Sequence, residues 1–181
     1  IKVYADGSLG SRTAALKRPY TDEPAGSGII VTTPDSIKSL CKLALDHGYQ
    51  VNTHCIGDSA NNLVLNIYGS LLKGRNDLRW RIEHAQVVDP DDLHLFAKYS
   101  VIPSVQATHA TSDMYWAGRR LGPVRIGGAY AYKALMKQNG WIANGTDFPI
   151  ENISPLLTFY ASVGRQDLKG IPVGGFQMEN S

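Results

Sequence analysis

No stretch of this 181-residue chain approaches the run of about 18 apolar residues that a bilayer-spanning helix needs. Cysteine is scarce: Cys41 and Cys55 are the only two, and they form neither C-x-x-C nor a zinc-ribbon spacing. Two reduced, buried thiols are expected, which suits a cytoplasmic protein. Charge of one sign is also lacking. Against 18 Lys and Arg stand 16 Asp and Glu, for a net charge of +2, and no basic stripe or like-charge block stands out. Nucleic acid and membrane are therefore not expected partners. No G-x-G-x-x-G follows a strand pattern, and Asn144-Gly145-Thr146 is no P-loop. That triplet and Asn152-Ile153-Ser154 match the glycosylation sequon, and both are read as chance. Internal repeats and low-complexity tracts are missing too. The chain opens at Ile1 within a strand pattern, so its start says nothing about targeting.

What is present is a globular composition, 43% hydrophobic and 19% charged, enough for one domain with a sizeable core. Ile1–Ala5 reads as a strand, followed by a polar, Gly-rich stretch from Asp6 to about Thr33. Thr33-Pro34-Asp35 is a strong helix start: a capping hydroxyl, a proline at the first helical position, then an acid. Ile37, Leu40, Cys41, Ala44 and Leu45 give that helix an apolar face, and Gly48 ends it. The cycle repeats with strand Tyr49–His54, helix Ser59–Leu72, strand Trp80–His84 and a helix from Asp89-Pro90 to Tyr99. Strand Val101–Gln106 follows, then a long loop with a short helix near Met114. Helix Tyr130–Asn139, strand Trp141–Asn144, a helix from Ser154-Pro155 to Gly164 and a loop-like tail, Arg165–Ser181, complete the chain. Such alternation implies an α/β fold of parallel strands joined by right-handed crossovers.

Three of these strands end in metal-binding side chains: His54, His84 and Asp147. In a parallel barrel the C-terminal strand ends share one mouth. Two imidazoles and a carboxylate there suit a metal-assisted hydrolytic site. Asp147 can both bind a metal and take a proton from its water. Lys2, on the same strand face as Tyr4, reads either as a surface lysine or as a carbamylated lysine bridging two metals. Spacing does not choose between these. Asp6, Ser11 and Arg12 lie in the loop after the first strand, where substrate pockets form. Arg12 either holds a substrate carboxylate or pairs with an acid. His109 follows a strand and is a candidate pocket residue. Asp58 is a candidate for fixing the His54 loop or orienting a ligand from behind. Arg81 and Glu83 alternate away from Ile82 and His84 and read as a structural ion pair rather than as catalytic groups. His47 and His94 read as structural.

Taken together, Lys2–Ala15 (KVYADGSLGSRTAA), Val51–Ala60 (VNTHCIGDSA), Arg81–Gln86 (RIEHAQ), Ile102–His109 (IPSVQATH), Leu121–Arg125 (LGPVR) and Asn144–Pro149 (NGTDFP) resemble the amidohydrolase superfamily, specifically the N-substituted formamide deformylase-like family. The resemblance implies a (β/α)8 TIM barrel with one or two divalent metal ions, commonly zinc. It implies Lys2 as a bridging carbamylated lysine, His54 and His84 as ligands, and Asp147 as ligand and proton shuttle. Asp6, Arg12 and His109 would then be substrate-binding, with Asp58 behind the ligands. Family members also have an N-terminal β-sandwich and a first barrel strand bearing His-x-His, which is not found here. The expectation is therefore a partial barrel, strands four to eight, with residues 1–181 the C-terminal part of one metal-dependent hydrolase barrel.

The implied activity of the parent protein is hydrolysis of a C–N bond in an amide, formamide or cyclic amide by metal-activated water. Its partner would be a small-molecule substrate, and the isolated piece would be inactive. A silent binding or regulatory barrel and a phosphoester hydrolase on the same barrel remain alternatives. Open sheet edges lead to the further expectation of a homo-oligomer.

Overall fold

The computed structural model describes residues 1–178; the end of the expected C-terminal loop, 179–181, lies outside the described residues. Five parallel strands form one sheet in chain order: β1 (Lys2–Tyr4), β2 (Asn52–Cys55), β3 (Arg81–His84), β4 (Ile102–Val105) and β5 (Ala143–Asn144). Helices connect them: α1 (Pro34–Asp46), α2 (Asp58–Leu72), α3 (His94–Tyr99), α4 (Ala107–Asp113), α5 (Ala117–Arg125) and α6 (Tyr132–Asn139), with α7 (Pro155–Gly164) after the last strand. This is the arc of a (β/α)8 barrel. Among the described residues no helix is long and apolar enough to cross a membrane.

Local chemistry explains the elements. Thr33 caps α1 by accepting the Ser36 N–H at 3.3 Å, with Pro34 in the first turn. Ile37, Cys41 and Ala44 are the residues of α1 that become buried, whereas Leu40 stays exposed. They pack with Val64, Leu65 and Tyr68 of α2 in one core shared with Val3, Cys55 and Ile82 of the strands. The Tyr68 hydroxyl meets Thr53 Oγ1 at 2.7 Å, which satisfies two polar groups in that layer. Both cysteines are free and buried.

The register carries Lys2, Asn52 and Arg81 across one row of the opposite sheet face, and Tyr4, His54, Glu83 and Ser104 across the next. This is the barrel's inner face. As alternation requires, Arg81 and Glu83 share it, paired at 3.3 Å, with Asn52 Oδ1 accepting from Arg81 Nε at 3.2 Å.

Three expectations need revision. The region around Met114 is not a long loop: α4 and α5 occupy it, α5 bending at Gly122 (φ 76°) just before Pro123. The helix expected from Asp89-Pro90 opens as a 3₁₀ turn, Pro90–Asp92, before α3 begins at His94. Asp147 does not end a strand. β5 stops at Asn144, and Asp147 sits in the following turn with φ 55°.

Candidate metal centre

The C-terminal ends of the strands open into a cavity of about 420 Å³ lined by Lys2, Tyr4, His54, His84, His109 and Asp147, among others. His84 reaches this mouth against the alternation rule. In register it pairs with Cys55, whose side chain faces the helices. Left-handed backbone at His84 (φ 74°) and Ala85 (φ 42°) turns the chain at the strand end and redirects the imidazole. Its ring centroid lies 4.6 Å from that of His54 and 5.6 Å from that of His109, stacked on the latter. Positive φ is costly for a side-chain-bearing residue, and such strain gathers at functional sites.

His84 Nδ1 lies 2.7 Å from Gln106 Oε1. An amide oxygen only accepts, so Nδ1 carries the proton and Nε2 keeps its lone pair. Burial, with His54 and His109 nearby, pushes the His84 pKa down to about 3, so the ring is neutral, as a metal ligand must be.

His109 sits in the first turn of α4 and is 9% exposed. Its Nε2 is buried, has no hydrogen-bond partner among the described residues, and lies 3.5 Å from Asp147 Oδ2. One donor atom each from His84, His109 and Asp147 fall within 4.8 Å of one another. Two neutral-capable imidazoles and a carboxylate, one imidazole with an unanswered buried nitrogen, fit a divalent ion.

The other candidates are placed differently. His54 lines the cavity, but its Nε2 lies 2.9 Å from the Gly7 carbonyl and 3.6 Å from Asp6. Burial lowers its pKa. Lys2 reaches the cavity from the β1 edge, exposed, its ammonium 5.1 Å from the Tyr4 ring centroid.

Asp6 does not face the cavity. It is 2% exposed and accepts the N–H groups of Ala15, Ile56 and Gly57 at 2.8–2.9 Å. It thus ties the Gly-rich loop to the turn after β2. Gly57 suits this knot because a Cβ there would sit 1.9 Å from the Ala15 carbonyl oxygen. Arg12 pairs with Asp22 at 3.0 Å and Glu23 at 3.3 Å, away from the cavity lining. Asp58 accepts the Lys17 N–H at 2.8 Å, anchoring the same loop to the start of α2. His47 and His94 bond backbone carbonyls at the surface, at 2.9 and 2.8 Å.

Gln106 was not singled out from the sequence, and neither were Gln86 and Asp113. Gln86 Nε2 and the Tyr130 hydroxyl both donate to Asp113 Oδ2, at 3.1 and 2.8 Å. Gln86 and Asp113 line the cavity. A helical reading of 107–113 would have put Asp113 one turn from His109 and signalled it.

Known proteins resemble this chain in sequence and fold. The model of the Amidohydrolase family, Amidohydro_3, matches residues 1–179. The putative amidohydrolase YtcJ of Bacillus subtilis (strain 168) is 37% identical over 168 residues, 92% of this chain and 31% of that protein. Protein LONG AFTER FAR-RED 3 of Arabidopsis thaliana is 34% identical over 168 residues, 91% of this chain and 29% of that protein. The crystal structure of an uncharacterized metal-dependent hydrolase from Pyrococcus horikoshii OT3 superposes with a TM-score of 0.82 at 37% identity, covering 91% of this chain and 33% of that one. The chain thus spans about a third of the length of the relatives it matches. Family match, sequence identity and fold agree: the chain belongs to the amidohydrolase family.

Proposed function

We propose that the protein to which this chain belongs is a metal-dependent hydrolase of a non-peptide C–N bond, in an amide, formamide or cyclic amide. The observation that carries the reading is the convergence of His84, His109 and Asp147 donor atoms within 4.8 Å at the C-terminal edge of a parallel sheet. Family membership supports the reaction class, and the resemblance of the six motifs supports the bond type. Lys2, carbamylated, with His54, His84 and Asp147, is the ligand set that the resemblance implies, zinc the metal.

A divalent ion here supplies a Lewis acid and a water ionisable near neutral pH. The chain's own residues do the rest. His84, held by Gln106, presents a neutral ring in fixed orientation. Asp147, with its side chain 34% exposed at the cavity rim, accepts a proton from the attacking water and delivers it to the leaving nitrogen. The cavity's apolar members, Leu9, Ile56, Trp116 and Ile150, surround the acyl or amine portion and exclude water.

The test is amine release from a panel of N-substituted formamides, linear amides and cyclic amides by the longest natural form of the polypeptide. Turnover that is abolished by chelation, restored by zinc and lost in Asp147→Asn supports the reading. Turnover of phosphoesters alone, or turnover indifferent to chelation, sinks it.

A further inference from the structure

We propose that Asp113 is a substrate-recognition residue, whose carboxylate anchors an ammonium or other nitrogen cation carried by the substrate about one helical turn from the bond that is cleaved. The proposal rests on the hydrolase reading above and deepens it by naming a substrate class: an amide whose acyl or amine portion bears a positive charge.

Asp113 is built for a partner that the chain does not supply. It lines the cavity, and its Oδ2 accepts from Gln86 Nε2 at 3.1 Å and from the Tyr130 hydroxyl at 2.8 Å. Gln86 Nε2 gives its second hydrogen to the Tyr130 hydroxyl at 3.1 Å, and the Gln86 carbonyl accepts the Tyr130 N–H at 2.7 Å. The three residues are thus locked together, with both donors on one carboxylate oxygen. The other oxygen, Oδ1, has only the Ser112 hydroxyl at 3.5 Å, whose single hydrogen goes to Glu151 Oε1 at 2.7 Å. No lysine or arginine pairs with Asp113 among the described residues. Lys2 is the one lysine or arginine lining the cavity, and it comes from β1, three strands away from the β4 that leads into α4. Glu151, also in the lining, adds charge of the same sign as Asp113. Asp113 is moreover the last residue of α4, and a helix C-terminus is itself partially negative and favours a cation. A partly buried carboxylate without a counter-charge is costly, and a cation in the cavity relieves that cost.

A second sign of a ligand lies one turn earlier on the same helix face. His109 Nε2 is buried without a hydrogen-bond partner among the described residues, on a residue nine-tenths removed from solvent, and it lines the same cavity. It lies 3.5 Å from Asp147 Oδ2, so it marks the reacting end. Residues four apart on a helix have Cβ atoms about 5–6 Å apart, which sets the span between the reacting end and the anchor. Trp116 and Ile150 line the cavity as well, an aromatic and an aliphatic surface suited to the methylenes beside a cation.

Binding calorimetry on the longest natural form of the polypeptide, stripped of metal so that nothing is hydrolysed, tests this. The probes are N-acetylputrescine, whose ammonium stands a comparable distance from its amide, the neutral isostere N-pentylacetamide, and the carboxylate-ended N-acetyl-aminovalerate. N-acetylputrescine should bind roughly 10–100-fold more tightly than N-pentylacetamide, and the carboxylate should bind most weakly. Asp113→Asn should reduce the preference for the ammonium to a few-fold. Asp91→Asn, which removes the same charge from an exposed residue outside the cavity lining, should keep it, and thermal melts check folding. If Asp113→Asn does not fold, ¹³C spectra of the unaltered protein with labelled aspartate carboxyls decide: N-acetylputrescine should move the Asp113 signal, and a signal that stays in place overturns the proposal. Equal binding of the three probes, no binding of any, or a preference that survives Asp113→Asn also overturns it. None of these readings involves turnover, so the hydrolase proposal stands or falls separately, on the amine-release assay.

Discussion

Gln106 Oε1 and His84 Nδ1 are 2.7 Å apart, both buried. Gln106 also reaches the Ser104 carbonyl with its Nε2 at 3.4 Å, which sets the orientation of the amide. The pair fixes both the tautomer and the plane of the histidine. Gln106→Leu is therefore expected to preserve the fold yet weaken zinc affinity by about 10–100-fold. Binding titrations with matched thermal melts check this; unchanged affinity would mean that packing alone orients His84.

Two buried groups set opposite pH responses in metal-free protein. Burial outweighs three backbone N–H donors and lifts the Asp6 pKa from 3.8 to about 6. The native state then keeps a proton that the unfolded chain has released, so this group's contribution to stability falls as pH rises from 4 to 6. His84 runs the other way. Its pKa is pushed down to about 3, so between pH 3 and 6.5 the unfolded chain binds the extra proton and stability rises with pH. Each effect is on the order of 3 kcal/mol across pH 4–6.5. Urea midpoints should therefore vary little over that range in the unaltered chain. Asp6→Asn should make stability climb with pH, and His84→Gln should make it fall. Parallel profiles for all three proteins would refute the assignment.

Arg165 is wholly buried at the end of α7. Its guanidinium donates to the carbonyls of Phe176 at 2.9 Å and Tyr130 at 3.2 Å. It also lies 5.1 Å from the Tyr132 ring centroid, so one side chain ties the C-terminal segment to the start of α6. Arg165→Met should cost about 2–4 kcal/mol by leaving buried carbonyls poorly answered. The effect should register as faster proteolysis after Gly164 before global melting is affected.

The periodic parts of the fold were legible in the sequence because one residue decides each. Thr33-Pro34 opens a helix, and Ile37, Cys41 and Ala44 of its apolar face meet the core, although Leu40 of the same pattern stays exposed. The strands Lys2–Tyr4, Asn52–Cys55 and Arg81–His84 were visible as apolar runs with polar ends. His84 illustrates the limit. Alternation assigns it to the helix-facing side with Cys55, and only the left-handed backbone at His84 and Ala85 brings it to the cavity. Nothing in local sequence announces positive φ at a histidine. Asp6 and Arg12 were placed in the right loop, yet the loop folds back. One is sealed among backbone donors and the other is paired with Asp22, and loop closure of this kind depends on contacts distant in sequence. His109 and Gln106 sit where a strand hands over to α4. Reading that segment as loop hid both the helix and its alignment with Asp113.

The apolar surface of the C-terminal segment should drive self-association. Leu156, Phe159 and Val163 are spaced along one face of α7 and are 77%, 66% and 54% exposed, while Thr158 and Ala161 on the other face are buried. Ile150, Ile153 and Leu168 extend the exposure. Adjacent exposed apolar side chains at helical spacing form a stripe, and burying each large one contributes about 1.5–3 kcal/mol. A few such residues per copy can offset the entropic cost of association. Sedimentation velocity should therefore show concentration-dependent dimers or larger species. The double variant Leu156→Glu, Phe159→Lys should shift the population to monomer without lowering the melting temperature, because neither side chain supports the core. If the unaltered chain stays monomeric at every accessible concentration, the stripe is too interrupted by polar neighbours to act as an interface. Self-association unchanged by the double variant would instead place the contact on the open edge of β1, where backbone pairing, not apolar burial, joins the copies.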